Sequence, residues 1–395
     1  MSALVETFSR PAPVKPIRGG RAYQCRCGRP VFFRNTLCVG CKSVLGYEPK
    51  LGRVLSIEPI PDTGHWRIAS GVRGRNRVYW RCANLELPAT CNWLVSDSDK
   101  SGQPHQFCIA CRLNRTIPDL SDPENCELWA SIEAAKRRLV SILIALELPV
   151  VPKTEDPERG LSFDFLRSPK EGPRVMTSHG SGLITLNIEE ARASTREQVR
   201  EAMNEPYRTV LGHLRHEVGH YYWDRLIYET SWIDEFRRLF GDERADYGEA
   251  LRRNYKEGPP ADWPQRFVSS YASTHPWEDW AETWTHMLHM ADTLATAASF
   301  GVDPRRLELE VEPYTSADLY QPDDPVGERF LRFLNGWMTL AAVMNEMSRG
   351  MGHPDFYPYT LSRPVVTKLH FIYIVVRAER ERLNKLAKES RAAAK

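Results

Sequence analysis

Cysteine placement constrains the fold of this chain more than any other feature of its sequence. Of nine cysteines in 395 residues, eight fall before residue 112. They form two sets of four, and each set ends in a C-x-x-C pair, the spacing of structural zinc sites held by four thiolates. The sets are Cys25, Cys27, Cys38 and Cys41, then Cys82, Cys91, Cys108 and Cys111. The sequence therefore predicts one or two structural zinc ions in a small β-rich region.

The rival interpretation of these cysteines is a set of disulfides in a secreted protein. The first ten residues contain neither a long apolar core nor a cleavage signal for export. No run of 18 apolar residues appears in the chain, so we expect no membrane-spanning helix and no membrane partner. We expect a cytoplasmic location, where thiols stay reduced and bind metal. The sequence also allows zinc sites that each combine cysteines of both sets.

A second motif, H-E-V-G-H at residues 216–220, has the form H-E-x-x-H. Positions four apart lie on one face of a helix, so His216 and His220 can bind a single metal ion. Glu217 is then placed to take a proton from a metal-bound water. The flanks favour a helix, because Asn204 can cap it and apolar residues recur at helical spacing.

A catalytic zinc site usually takes three protein ligands, and a later Trp-rich segment offers the third. Pro276 suits the start of a helix, on which Glu278 and Glu282 lie one turn apart. Burying two carboxylates on an otherwise apolar helix is costly unless they are paired or bound to metal. We expect Glu278 to be the ligand and Glu282 to hold a ligand histidine. The rival ligands on this segment are His275, His286 and His289.

Two further residues lie near the metal-facing side of the first helix. His213 is three residues before His216, where a ligand would crowd the site, so we interpret it as a packing residue or as one that supports a ligand. Asp224 follows His220 by four residues. It either orients that imidazole or caps the end of the helix, and the sequence leaves both open.

The order H-E-x-x-H, then Y-x(6)-E-x(3)-E on a later helix, resembles the gluzincin arrangement of the lethal-factor type. The longer strings G-H-L-R-H-E-V-G-H-Y-Y-W-D and H-P-W-E-D-W-A-E-T-W-x-H resemble a bacterial family of zinc-binding metallopeptidases. That family places a zinc ribbon in front of a peptidase domain. The resemblance covers most of the chain.

By position, the resemblance implies zinc on His216, His220 and Glu278, with Glu217 as general base. It also implies that the Tyr271 hydroxyl stabilises the oxyanion of the transition state. Three other tyrosines compete for that role, namely Tyr221, Tyr222 and Tyr247.

We predict an α+β fold in which a small zinc-ribbon β domain precedes a mostly helical, zincin-like metallopeptidase domain with a small sheet. The expected domains are a flexible lead (1–20), a double zinc ribbon (21–118), the metallopeptidase domain (119–376) and a charged helical tail (377–395). In the metallopeptidase domain we expect strands over 161–165 and 182–188, the latter an edge strand that lines the cleft. We expect further helices over 124–148, 233–251 and 323–349 and from 365 onward.

Charge differs between the first 115 residues and the remainder of the chain. Residues 1–115 hold 18 Lys and Arg against 7 Asp and Glu, a net +11, so the remainder is −9 because the total is +2. Two filled four-thiolate sites, each contributing about −2, would leave the ribbon region at about +7. Such a domain can recruit nucleic acid or an acidic protein, or it is simply a solvated small domain. The best candidate patch is Arg73, Arg75 and Arg77 beside Tyr79 and Trp80.

The sequence thus favours a zinc-dependent metallopeptidase that hydrolyses peptide bonds of a protein or peptide substrate, with one catalytic and one or two structural zinc ions. A first alternative is a protease that the basic ribbon tethers to DNA. A second is a zinc-containing binding protein without catalysis, although a purely structural site has no need of Glu217. An amidase or deacylase acting on a small molecule fits the same residues.

Overall fold

The computed structural model describes residues 19–69, 77–96, 105–202, 208–309 and 311–393. A β-rich N-terminal region precedes a mostly helical body that carries a second sheet, so the predicted fold class is confirmed. The described strands are β1 (Tyr23–Gln24), β2 (Pro30–Val31), β3 (Val44–Glu48), β4 (Arg53–Pro59), β5 (Trp66–Ile68), β6 (Val78–Arg81), β7 (Leu94–Ser96), β8 (Asn114–Thr116), β9 (Ser162–Leu166), β10 (Ser178–Gly180) and β11 (Leu183–Asn187).

The described α-helices are α1 (Pro123–Ala145), α2 (Ala193–Ala202), α3 (Val210–Leu226), α4 (Ile233–Phe240), α5 (Tyr247–Glu257), α6 (Trp263–Arg266), α7 (Pro276–Ser299), α8 (Gly327–Gly350) and α9 (Arg363–Ala393). Among the described residues, no helix combines the length and the apolarity needed to cross a bilayer. Residues 1–18 of the expected lead and 394–395 of the expected tail lie outside the described residues.

The N-terminal sheet is an antiparallel meander in the order β3-β4-β5-β6-β7. Successive strand residues point to opposite faces, and both faces are partly buried here. Tyr47 and Trp93 join the main core on one face, whereas Leu55 and Tyr79 form a separate small core on the other. The sheet therefore has apolar packing of its own beside the metal sites.

The second sheet has the order β10-β11-β9-β8 and connects the two regions. Strand β8 follows the last cysteine pair and runs parallel to β9, so the ribbon region continues directly into the body. The strand expected over 182–188 is present as β11, but its position at the sheet edge is wrong. The edge strand is β10, which a turn at Ser181 and Gly182 connects to β11, and both turn residues have positive φ.

Helices α3 and α7 pack against each other along the metal-binding motifs. The indole N–H of Trp280 donates to the carbonyl oxygen of Gly219 at 2.9 Å. A Cβ atom at Gly219 would lie only 3.0 Å from Ala281 Cα. A glycine facing an alanine therefore lets the two helices approach closely enough for side chains of both to meet.

The single helix expected over 233–251 is wrong. Helix α4 ends at Phe240 because Gly241 adopts a φ of 106°, a left-handed conformation that glycine tolerates. The chain resumes as α5, where the Asp246 side chain accepts from the backbone N–H of Glu249. The break turns the start of α5, with Tyr247, toward the metal-binding motifs.

The H-E-x-x-H helix begins later than expected. Thr209 is the N-cap of α3, and its hydroxyl accepts from the backbone N–H of Gly212 at 2.9 Å. The expected cap, Asn204, lies outside the described residues.

A buried carboxylate, Asp292 on α7, connects the N-terminal segment to three helices. Its oxygens lie 3.2 Å from Arg21 Nη2, 2.6 Å from Arg138 Nε and 2.7 Å from Arg215 Nη2. Arg138 is on α1 and Arg215 is on α3, next to the first metal-binding histidine. The start of the ribbon region is thus ion-paired to the helices that build the site.

Candidate metal centre

Three side chains meet where α3 and α7 pack together. His216 Nε2 lies 2.9 Å from Glu278 Oε2 and 3.2 Å from His220 Nε2. His220 Nε2 is 3.7 Å from the same Glu278 oxygen. With Zn–N and Zn–O bonds of about 2.0–2.1 Å, tetrahedral ligand atoms stand about 3.3 Å apart. The three donor atoms therefore have the mutual spacing of ligands around one zinc ion.

The burial of Glu278 supports this assignment. Its Oε1 accepts a hydrogen bond from the Tyr247 hydroxyl at 2.9 Å, but within the described ranges its buried Oε2, although 2.9 Å from His216 Nε2, receives no well-aligned hydrogen bond. A buried oxygen without a hydrogen bond is costly, and a metal ion bound to it would remove that cost. No fourth Cys, His, Asp or Glu of the described chain completes the cluster, which leaves a ligand position for water or substrate.

Glu282 lies behind the first ligand, as expected for a carboxylate that holds a histidine. Its Oε1 is 2.7 Å from His216 Nδ1, and its Oε2 accepts from the Ser269 hydroxyl at 2.7 Å. This contact leaves Nε2 of His216 facing Glu278. Burial alone would raise the pKa of Glu282, but contact with His216 outweighs burial and lowers that pKa to about 2.

The three candidate ligands line a cavity of about 990 Å³. The edge strand β10, the metal-binding face of α3 and the first turns of α7 form its walls, together with residues of α5. Glu217 and Tyr271 line the same cavity, so the structure brings together all five residues expected to bind zinc or take part in catalysis.

Glu217 contacts another residue of its own helix. His213 Nε2 lies 3.1 Å from Glu217 Oε1, and His213 Nδ1 lies 2.5 Å from Glu190 Oε2. Burial would raise the pKa of Glu217, but His213, together with His216 and His220, outweighs burial and the pKa falls to about 2. Glu217 is therefore ionised at neutral pH, which is the form that accepts a proton.

The four candidate tyrosines separate into two groups. Tyr221 donates its hydroxyl to the Arg159 carbonyl and Tyr222 donates to the Pro149 carbonyl, at 3.2 and 2.8 Å. Tyr247 and Tyr271 both line the cavity, where the Tyr271 ring lies 5.9 Å from that of His216. Burial and the charge of Glu278 raise the pKa of Tyr271, so its hydroxyl keeps a proton to donate.

The three rival histidines have other partners. His275 is the N-cap of α7, where its Nδ1 accepts from the backbone N–H of Trp277, and its Nε2 bonds to the Ala245 carbonyl. His286 Nδ1 bonds to the Tyr357 hydroxyl at 2.5 Å, and His289 Nδ1 bonds to Arg215. None of the three belongs to the metal-binding cluster found among the described residues.

A histidine that sequence reasoning missed also lines the cavity. His179, on β10, stacks against His220 with ring centroids 5.9 Å apart. Its Nε2 lies 3.7 Å from Asp224 Oδ2. Asp224 was one candidate for orienting His220, but within the described ranges no ion pair joins the two residues. Burial lowers the pKa of His179 to about 4 and raises that of Asp224 to about 6. Nothing in the local sequence indicated His179, because its position depends on strand pairing.

The eight early cysteines form two separate clusters that follow their order in the chain. In the first, Cys25 and Cys41 Sγ atoms lie 3.5 Å apart, and those of Cys27 and Cys38 lie 3.8 Å apart. Zn–S bonds of about 2.3 Å place tetrahedral sulfurs about 3.8 Å apart. The second cluster, Cys82, Cys91, Cys108 and Cys111, has a matching 3.7 Å contact between Cys91 and Cys108. It is fully buried, whereas Cys27 and Cys41 of the first are exposed.

The expected basic patch is only partly described. Arg73 and Arg75 lie outside the described residues, and Arg77 is exposed. Tyr79 is fully buried in the small core and cannot contact a partner, so its place in the patch is wrong. Trp80 is half-buried and stacks edge-on with His65 at 4.5 Å.

Comparison with known proteins identifies the class. The model of a family described as "Putative zinc-binding metallo-peptidase" matches residues 125–375, and a zinc-ribbon model matches residues 22–122. The chain belongs to this family of zinc-binding metallopeptidases with an N-terminal zinc ribbon, so the predicted resemblance is confirmed. Uncharacterized proteins of Mycobacterium tuberculosis and Mycobacterium bovis are 40% identical over 359 residues, 90% of this chain and 95% of theirs. No solved structure matches the chain.

Proposed function

We propose that this protein is a zinc-dependent peptidase that cleaves peptide bonds of a protein or peptide substrate. The observation that carries the proposal is a cluster of three zinc-ligand side chains in one cavity that Glu217 also lines. A zinc ion used only for structure usually has four protein ligands and needs no base beside it.

The proposed reaction assigns a task to each residue. His216, His220 and Glu278 would hold the zinc ion, which lowers the pKa of water and polarises a carbonyl when bound. Glu217 takes a proton from the attacking water and later gives it to the leaving amine nitrogen. The Tyr271 hydroxyl donates to the oxygen that gains negative charge, an interaction worth about 2.7–4 kcal/mol for donors of this kind.

The edge strand supports an extended peptide as substrate. Strand β10 pairs with β11 on one side, is the last strand of its sheet, and lines the cavity. An extended peptide can add to such an edge through main-chain hydrogen bonds. In this proposal a substrate lies along Ser178–Gly180 with one carbonyl beside the metal-binding cluster.

Recruitment through the ribbon is a second part of the proposal. The excess of Lys and Arg in residues 1–115 supports binding of nucleic acid or an acidic protein. Such recruitment would explain a basic domain attached to a peptidase, and it predicts that binding weakens with added salt.

The proposal is tested by incubating the zinc-bound protein with a mixed peptide library and identifying products by mass spectrometry. The wild type should generate defined new termini, and Glu217→Gln should abolish them while retaining zinc. Glu257→Gln, a change at an exposed position, is the matched control and should cleave like the wild type. Undiminished cleavage by Glu217→Gln would exclude Glu217 as the base.

A further inference from the structure

His213 lies one helical turn before Glu217 on α3 and is in contact with two carboxylates. Its Nε2 is 3.1 Å from Glu217 Oε1, and its Nδ1 is 2.5 Å from Glu190 Oε2. The three side chains therefore form a chain of contacts, Glu190–His213–Glu217, whose last member is the proposed base. A packing residue would instead lie among apolar side chains.

Glu190, at the far end of this chain, is held in place by several residues. It lies on a short 3-10 helix, Ile188–Ala191, directly after β11. Its Oε1 accepts from the Thr177 hydroxyl, and its Oε2 lies 3.6 Å from Arg208 Nη2. The carboxylate that orients His213 is thus fixed to the sheet that forms the substrate side of the cavity.

We infer that His213, oriented by Glu190, is a positioning residue that fixes the Glu217 carboxylate for proton transfer. This inference rests on the proposed function, because it assigns His213 a role through the proposed base. Contact with His213 occupies Oε1 and restricts rotation of the Glu217 side chain, which leaves Oε2 to accept the proton of the attacking water. Holding a reacting group in its productive geometry lowers the barrier, and a misplacement of about 1 Å can cost about a hundredfold in rate.

Two observations argue against a purely structural role. His213 lines the cavity and its side chain keeps 18% of its exposure, so it contributes little to the apolar core. It is also not part of the metal-binding cluster formed by His216, His220 and Glu278. Its short contacts through both ring nitrogens are with the two carboxylates.

The test uses His213→Leu and His213→Gln in wild-type and Glu217→Gln backgrounds. With a peptide substrate, His213→Leu should lower kcat about ten- to hundredfold with little change in KM. His213→Gln, whose amide can still donate one hydrogen bond, should recover part of the rate. Because Glu217→Gln abolishes turnover, the effect of His213→Leu in that background is measured by ligand binding, and it should be absent if the residue acts through Glu217. His353→Leu, at an exposed position, is the control.

A binding measurement makes the result independent of finding a substrate. Acetohydroxamate binds zinc and gives its proton to a neighbouring base, so its Kd reports the placement of Glu217. Titration calorimetry on zinc-bound protein should show that His213→Leu weakens binding about tenfold and that His213→Gln weakens it less. The double variant His213→Leu/Glu217→Gln should bind no more weakly than Glu217→Gln alone.

Zinc content and melting temperature of each variant establish that the site is intact. Equal hydroxamate affinity of wild type and a folded, zinc-bound His213→Leu would overturn the inference, as would additive losses in the double variant. Absence of peptide cleavage by the wild type, with the hydroxamate pattern as expected, would instead count against the proposed function alone.

Discussion

The Trp280 indole donates to the carbonyl oxygen of Gly219, and this hydrogen bond lies where the two helices that carry the candidate zinc ligands pack together. Gly219 lies one residue before His220, and Trp280 lies two residues after Glu278. The approach of α3 and α7 at this point therefore sets the distance between the histidines and the carboxylate.

Enlarging Gly219 should force the helices apart. In Gly219→Ala, the new methyl group would lie 3.0 Å from Ala281 Cα, a backbone atom that cannot move alone. We expect a loss of about 1–3 kcal/mol in the free energy of unfolding together with weaker zinc binding. Gly350→Ala is the control, since its methyl group would meet open space. Chemical denaturation and zinc titration measure both effects, and an equal response of the two variants would show that the close approach is unimportant.

Removing the carboxylate behind His216 should weaken zinc binding more than folding. Glu282→Gln loses the charge that orients His216, and such changes cost about ten- to hundredfold in metal affinity. Competition with a chelator gives the affinity, and thermal melting of the zinc-bound form gives the stability. Glu346→Gln, largely exposed on α8, should change neither quantity. Unchanged zinc affinity in Glu282→Gln would mean that His216 is held by other contacts.

Asp292 should make stability depend on acid pH. Burial alone would raise its pKa, but Arg21, Arg138 and Arg215 outweigh burial and hold the pKa far below its usual range. A depressed pKa contributes stability above the unfolded value of about 3.9, and that contribution is lost as the pH falls below it. Asp292→Asn should therefore cost about 3–5 kcal/mol near neutral pH.

The acid dependence distinguishes this ion-pair network from a simple packing defect. The stability difference between wild type and Asp292→Asn should narrow as the pH falls below about 4. Asp234→Asn, on an exposed side chain, should show no such trend. A difference that stays constant from neutral to acid pH would exclude the charge of Asp292 as its source.

The two cysteine clusters should differ in their importance for folding. Cys111→Ser and Cys41→Ser should each release one zinc ion. Only Cys111→Ser should strongly lower the melting temperature. The cluster that contains Cys111 is fully buried, and Cys111 Sγ lies 3.9 Å from Glu133 on α1. Cys126→Ser, outside both clusters, should retain all zinc. Equal destabilisation by Cys111→Ser and Cys41→Ser would contradict this account.

Local patterns predicted the residues of the site better than they predicted its surroundings. His216 and His220 follow from helical geometry alone, and the cost of burying two carboxylates on an apolar helix indicated Glu278 and Glu282. The contact of Tyr247 with Glu278 depends on the helix break at Gly241, where the apolar pattern continues and favoured one unbroken helix.

Sequence patterns did not predict the contacts made by the sheet β10-β11-β9-β8. His179 lies just before the turn at Ser181 and Gly182, and only its pairing with β11 turns its side chain toward His220. The contact between Glu190 and His213 likewise depends on how the 3-10 helix after β11 packs against α3. Such placements depend on tertiary contacts, which no local periodicity encodes.

We expect a third zinc ion, bound by His216, His220 and Glu278 apart from the two cysteine clusters. Elemental analysis of zinc per chain, on the wild type and on His216→Ala/His220→Ala prepared side by side, tests it most directly. The wild type should contain three zinc ions per chain and the variant two. Two zinc ions in both proteins, prepared with zinc in excess, would contradict a metal site at the H-E-x-x-H motif.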